Sequence, residues 1–135
     1  MSYFLFLDDT CDLSDVTWVN LPMGNWHIVR NYRQFVNKIQ TEGLPIRVSF
    51  DHDLSDEHYS DQSGVFSSTY KEKTGADCAR WLTNYCFERD LNLPKYTIHS
   101  MNRVGSENIK SILESYIKIK YEKLQTIQLL RKELV

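Results

Sequence analysis

The chain has 135 residues, 41% of them apolar and 25% charged, with a formal net charge of −2. That length suits a single domain with its own core. The absence of a basic excess excludes a broad duplex nucleic-acid footprint, while a local basic patch can still meet an RNA end. No apolar run reaches the roughly 18–20 residues of a membrane span, and "MSYFLFLDD" meets two aspartates too early for a signal peptide.

Residues 3–7 (Tyr-Phe-Leu-Phe-Leu) form a short continuous apolar run, as expected of a strand buried on both faces. Residues 26–30 (Trp-His-Ile-Val-Arg) read as a second strand. The period then changes. Tyr32, Phe35, Val36 and Ile39 fall at i, i+3, i+4 and i+7, so 32–41 is predicted helical, with Asn31 as cap and Gly43 and Pro45 as the stop. Residues 46–50 return to strand character. The segment 55–73 is rich in Ser, Asp, Gly and Tyr without apolar periodicity, which reads as an inserted loop, either a lid or a plain insertion.

Thr74 opens a helix, with Asp77 placed for a capping box and Ala79, Leu82 and Cys86 on the inner face. Residues 96–99 make another strand. A long helix is predicted from about Glu107, capped by Ser106, with a stripe of Ile109, Leu113, Ile117, Tyr121, Leu124, Ile127, Leu130 and Leu134. At 1.5 Å per residue it would run roughly 40 Å, more than a small sheet can cover. Its part beyond about residue 120 is therefore expected to fold back after a break or to pack on a second copy as a homodimer. The alternation of strands and helices predicts an α/β domain with a mainly parallel sheet. Cys11, Cys78 and Cys86 leave one thiol unpaired in any disulfide scheme and lack CxxC spacing. A reducing, cytoplasmic setting without structural zinc is the expectation.

Chemistry-bearing residues gather at the carboxyl ends of three predicted strands. The first runs into Asp8 and Asp9, the third into Asp51, His52 and Asp53, and the last into His99, Ser100 and Asn102. Open parallel α/β sheets bind ligands outside those ends. Each group alone has an ordinary reading as turn, cap or solvated loop; their convergence on one rim carries the inference. Clustered carboxylates repel unless a cation neutralises them, and hard oxygen ligands suit Mg²⁺ or Mn²⁺ with substrate phosphate. Histidines beside such a metal can move protons near neutral pH, which makes a phosphoester-hydrolysing site. No GxGxxG, GxxxxGK[ST] or GxSxG is present. Gly105 in "NRVGSEN" either offers backbone N–H groups to a phosphate or simply belongs to a cap.

The landmarks "FLFLDD" at 4–9, "WHIVR" at 26–30, "VSFDHDL" at 48–54, "TGADCARWL" at 74–82 and "LPKYTIHSMNRVGSENI" at 93–109 together resemble the cyclic-phosphate-processing receiver-like family. This is a Rossmann-like relative of the response-regulator receiver. The resemblance implies a receiver-like three-layer sandwich of four or five mainly parallel strands. It places Asp8, Asp9 and Asp51 at the metal, with Asp51 at the receiver's phosphoacceptor position. His52, Asp53, His99 and Ser100 are the additions that mark the branch. It further implies action on 2′,3′-cyclic phosphate RNA ends or cyclic nucleotides, in RNA repair or phage–host conflict.

In this reading Asp51, His52, Asp53 and His99 form the catalytic set, with one histidine as base and the other as acid. Ser100, Asn102, Arg30, Arg103, Gly105 and Thr74 are the substrate-binding candidates. Arg30 or Arg103 stands in for an arginine that the family often carries after the paired aspartates and "LDDTCDLSD" lacks. The segment 55–73 and the helix beyond about 120 also depart from the family pattern. A non-catalytic module that sequesters a cyclic nucleotide uses the same crevice. A receiver phosphorylated on Asp51 is disfavoured, because no strand follows His99 to supply its lysine.

Overall fold

The computed structural model describes residues 2–54 and 73–134, so the predicted inserted loop lies, apart from Lys73, outside the described residues. Among the described residues four strands, β1 (Phe4–Leu7), β2 (Trp26–Val29), β3 (Arg47–Phe50) and β4 (Lys95–Ile98), are interspersed with three α-helices, α1 (Tyr32–Glu42), α2 (Gly75–Arg89) and α3 (Arg103–Glu133). The sheet has the order β2-β1-β3-β4 and every pairing is parallel. This is the α/β, receiver-like architecture expected, with four strands among the described residues.

Local chemistry sets the helix boundaries. The Asn31 side chain accepts from the Gln34 amide at 2.9 Å to open α1. Thr74 and Asp77 complete a capping box at the start of α2. The last helix begins four residues before its predicted start. Its cap is Asn102, whose Oδ1 accepts from Gly105 N at 2.9 Å, while the hydroxyl of Ser106 donates instead to Ser100 O.

Strand alternation divides the core. Leu5, Leu7, Val48 and Phe50 join Phe35, Ile39, Ala79, Leu82, Ile109 and Leu113 in one buried cluster, which is the helical face. The intervening residues Phe6 and Ser49, both at 0% exposure, belong to the other face. No α-helix lies in the segment that follows β1; it carries a short 3-10 helix at Leu13–Asp15. Val16 of this segment is buried, and Trp18 donates its indole N–H to His99 O at 2.8 Å. The third layer of the sandwich is thus an irregular strap over the sheet.

Helix α3 outruns the sheet. Its 31 residues extend about 46 Å, against about 13 Å for a four-residue strand. Ile109, Leu113 and Tyr116 are buried, whereas Ile117, Tyr121, Leu124, Ile127, Leu130 and Leu134 stay exposed. Of the two expected outcomes the break is not found: the helix is continuous. No helix among the described residues is long and apolar enough to cross a membrane. Cys11, Cys78 and Cys86 form no disulfide with one another.

Candidate functional site at the carboxyl ends of the strands

Register brings Asp8, Asp51 and His99 level. Leu7 pairs with Phe50 and Phe50 with Ile98, and the ladder continues one residue further. Asp51 N donates to Leu7 O at 2.9 Å, and His99 N donates to Phe50 O at 2.9 Å. All three side chains therefore leave the sheet on the strap face. One carboxylate oxygen from each of Asp8, Asp9 and Asp51 lies within 4.8 Å of the others. An all-oxygen, all-anionic donor set of this spread fits a hard divalent cation such as Mg²⁺ or Mn²⁺.

The two central carboxylates are tuned in opposite directions. Burial raises Asp8, but the hydrogen bond from His99 and those from the amides of Cys11 and Thr10 outweigh it, holding the carboxyl below its usual range. Asp51 is pushed up to about 6, first by burial and then by the charge of Asp8, against one backbone hydrogen bond from His52. Uncompensated negative charge at Asp51 is what a bound cation relieves.

The two histidines have different surroundings. His99 is 1% exposed and lies parallel to the Phe6 ring, with centroids 4.6 Å apart. Its Nε2 meets Asp8 Oδ2 at 2.9 Å and its Nδ1 meets Ser49 Oγ at 2.7 Å. The sequence-based picture of His99 open in the crevice is corrected here: the strap buries it beneath the mouth. His52 is only partly buried. Its Nδ1 lies 3.2 Å from Asp53 Oδ1 and 3.4 Å from Asn102 Nδ2. Asn102 Nδ2 also donates to both Asp53 oxygens, at 3.3 and 3.4 Å. Nδ1 stands between an acceptor, Asp53, and a donor, Asn102 Nδ2; the shorter contact, 3.2 Å to the carboxylate, is the one a protonated Nδ1 would make. Nε2 is then the acceptor.

Two glycines make room for His52. A Cβ on Gly105 would lie 2.3 Å from His52 Cγ, so the first turn of α3 is a socket for the imidazole rather than a phosphate cradle. A Cβ on Gly75 would lie 1.9 Å from Asp51 O, and Gly75 N donates to His52 O at 2.7 Å. The "TG" of the sequence therefore docks the start of α2 against the backbone that carries Asp51 and His52.

Most of the predicted substrate-binding side chains build the site instead of facing outward. Arg30 donates to Asp8 O, Cys11 O and Asp12 Oδ1, pinning the strap. Thr74 is engaged with Asp77 in its cap. Ser100 Oγ accepts from Asn102 N at 3.1 Å. Arg103 is exposed, and its side chain makes no hydrogen bond or ion pair among the described residues. Sequence reasoning passed over Ser49 and Trp18. A serine within the apolar run "IRVSF" was a signal for the first; nothing local marked the second.

The protein-family model for the cyclic-phosphate processing receiver domain matches residues 3–115. Neither a curated protein nor a solved structure matches the chain.

Proposed function

The chain belongs to the cyclic-phosphate processing receiver family, and on that premise we propose that its mouth hydrolyses a cyclic phosphate. The substrate would be a 2′,3′-cyclic phosphate RNA end or a cyclic nucleotide. The observation that carries the reading is the meeting of Asp8, Asp9 and Asp51 within 4.8 Å, one residue before His52. Those three carboxylates would hold Mg²⁺ or Mn²⁺. A cation there supplies charge neutralisation at phosphate oxygens.

The remaining chemistry belongs to the chain. Asp53 accepts from His52 Nδ1 and fixes the ring with Nε2 as the basic atom. Nε2 takes a proton from water as the water oxygen bonds to phosphorus. One ring P–O bond breaks, and the released oxygen takes a proton from solvent, leaving a phosphomonoester. Asn102 holds Asp53 and caps α3. Arg103, exposed in the first turn of α3, supplies the cation for the free phosphate oxygens.

The test is turnover. A cyclic-phosphate oligonucleotide and a panel of cyclic nucleotides are incubated with Mn²⁺ or Mg²⁺, and in parallel with a chelator. Metal-dependent conversion to a phosphomonoester is the expected result. Tight binding with the ligand returned unchanged would establish a sequestering module. A stable gain of phosphate at Asp51 from a small phosphodonor would establish a receiver.

A further inference from the structure

We infer that Ser49 is a positioning residue of the metal site: its hydroxyl donates to His99 Nδ1, which leaves the proton on Nε2 to hold the Asp8 carboxylate in place. The inference rests on the metal-binding reading above. It arises from an anomaly in β3, where a position with 0% exposure and facing the Phe6 side of the sheet carries a hydroxyl. Such a position ordinarily takes a β-branched or aromatic side chain.

The chain of contacts is short and sealed. Ser49 Oγ lies 2.7 Å from His99 Nδ1, and His99 Nε2 lies 2.9 Å from Asp8 Oδ2. Phe6 covers one face of the ring, and Trp18 clamps the backbone carbonyl of the same residue at 2.8 Å. An ionised carboxylate is an acceptor only, so Nε2 must present N–H to Asp8. In the neutral imidazole Nδ1 is then an acceptor, and the Ser49 hydroxyl is the donor in reach.

The result bears on how Asp8 can serve a cation. Asp8 Oδ1 accepts the amides of Thr10 and Cys11, at 3.0 and 2.8 Å, and Oδ2 accepts from His99. A carboxylate has about four lone-pair positions. Three are taken by donors of the chain itself, leaving one direction for a cation shared with Asp9 and Asp51. Outer groups that orient a metal ligand in this way commonly change metal affinity about 10- to 100-fold when removed.

The test compares the 135-residue chain with its Ser49→Ala and Ser49→Thr variants. Long-range ¹H–¹⁵N correlation of the metal-free protein reads the tautomer of His99, and titration with Mn²⁺ alone reads affinity. The wild type is expected to show a single Nε2–H tautomer. In Ser49→Ala Asp8 still holds the Nε2 proton but Nδ1 loses its donor, so the Nδ1 ¹⁵N shift should move, and Mn²⁺ should bind about tenfold or more weakly. Ser49→Thr, which keeps the hydroxyl, should recover both readouts. An Nδ1–H or doubly protonated His99 in the wild type overturns the inference, even if Ser49→Ala fails to fold. An unchanged Nδ1 shift and affinity in a folded Ser49→Ala overturns it as well. Wild-type protein that binds no Mn²⁺ but keeps the Ser49-dependent Nδ1 shift would sink the metal reading while upholding Ser49 as the residue that orients His99.

Discussion

The floor and the mouth of the site each receive one histidine, from neighbouring strands in one ladder, and use them in opposite ways. On the floor, Ser49, His99 and Asp8 are closed off by Phe6 and the strap, and both ring nitrogens of His99 are engaged. At the mouth, His52 is held through one nitrogen by Asp53 and packed over Gly105. An imidazole bonded at both ends in a sealed pocket can orient a carboxylate but has no atom left for a substrate proton. An imidazole held at one end keeps such an atom. Residue type is shared by the two positions; the covering segment separates their roles.

The contrast is broken most directly by removing each ring. His52→Ala is expected to lower turnover about 10²- to 10⁴-fold while ligand binding persists. His99→Ala should act first on Mn²⁺ affinity and melting temperature, since it leaves Asp8 without its buried donor. If His99→Ala instead slowed turnover with affinity and melting intact, the two roles would be reversed.

Asp51→Asn comes next. It should cut Mn²⁺ affinity by more than about 100-fold, beyond what loss of an outer-shell group costs, yet raise the melting temperature of the metal-free protein. Ionised Asp51 opposes folding, because its folded pKa of about 6 lies above the ordinary value of 3.8. That cost, at most about 3 kcal/mol, is fully present above pH 6 and disappears as the pH falls toward 4. Asp8 has the opposite sign, and its contribution is lost only below about pH 4, since its carboxyl is held under the usual range. Between pH 7 and 4 the Asp51 contribution should therefore make metal-free wild type more stable on acidification. Asp51→Asn should lack that gain, and chemical denaturation across the window checks it.

The smallest expected effect sharpens the mouth alone. Gly105→Ala places a methyl 2.3 Å from His52 Cγ, so the ring must move. Turnover should fall by up to about 100-fold, with Mn²⁺ affinity unchanged because the floor is untouched. Equal losses in both would show that mouth and floor are one unit.

Much of the fold was legible beforehand for specific reasons. The change from apolar runs to i, i+3, i+4 spacing marked Tyr32–Glu42, and Thr74 with Asp77 announced the start of α2. The last helix was legible as a helix, but neither its start nor its continuity past about residue 120 was. Asn102 and Ser106 are both able caps, and the choice between them depends on Ser100 O being close enough to take the Ser106 hydroxyl. The same apolar stripe also runs through both halves of α3. Only the distance from the sheet makes Leu113 core and Leu124 surface.

Sequence alone determined which residues stand at the strand ends, because strand periodicity and the polar residues that stop it are local properties. Asp8, Asp51 and His99 could be assigned to one rim on that basis. Tertiary structure decided what each does there. A strap with no periodic signal buries His99, Arg30 turns inward to pin that strap, and Gly75 and Gly105 admit the chain beside His52. Burial and hydrogen-bond partnership belong to the segment that covers a side chain, and that segment can lie anywhere else in the chain.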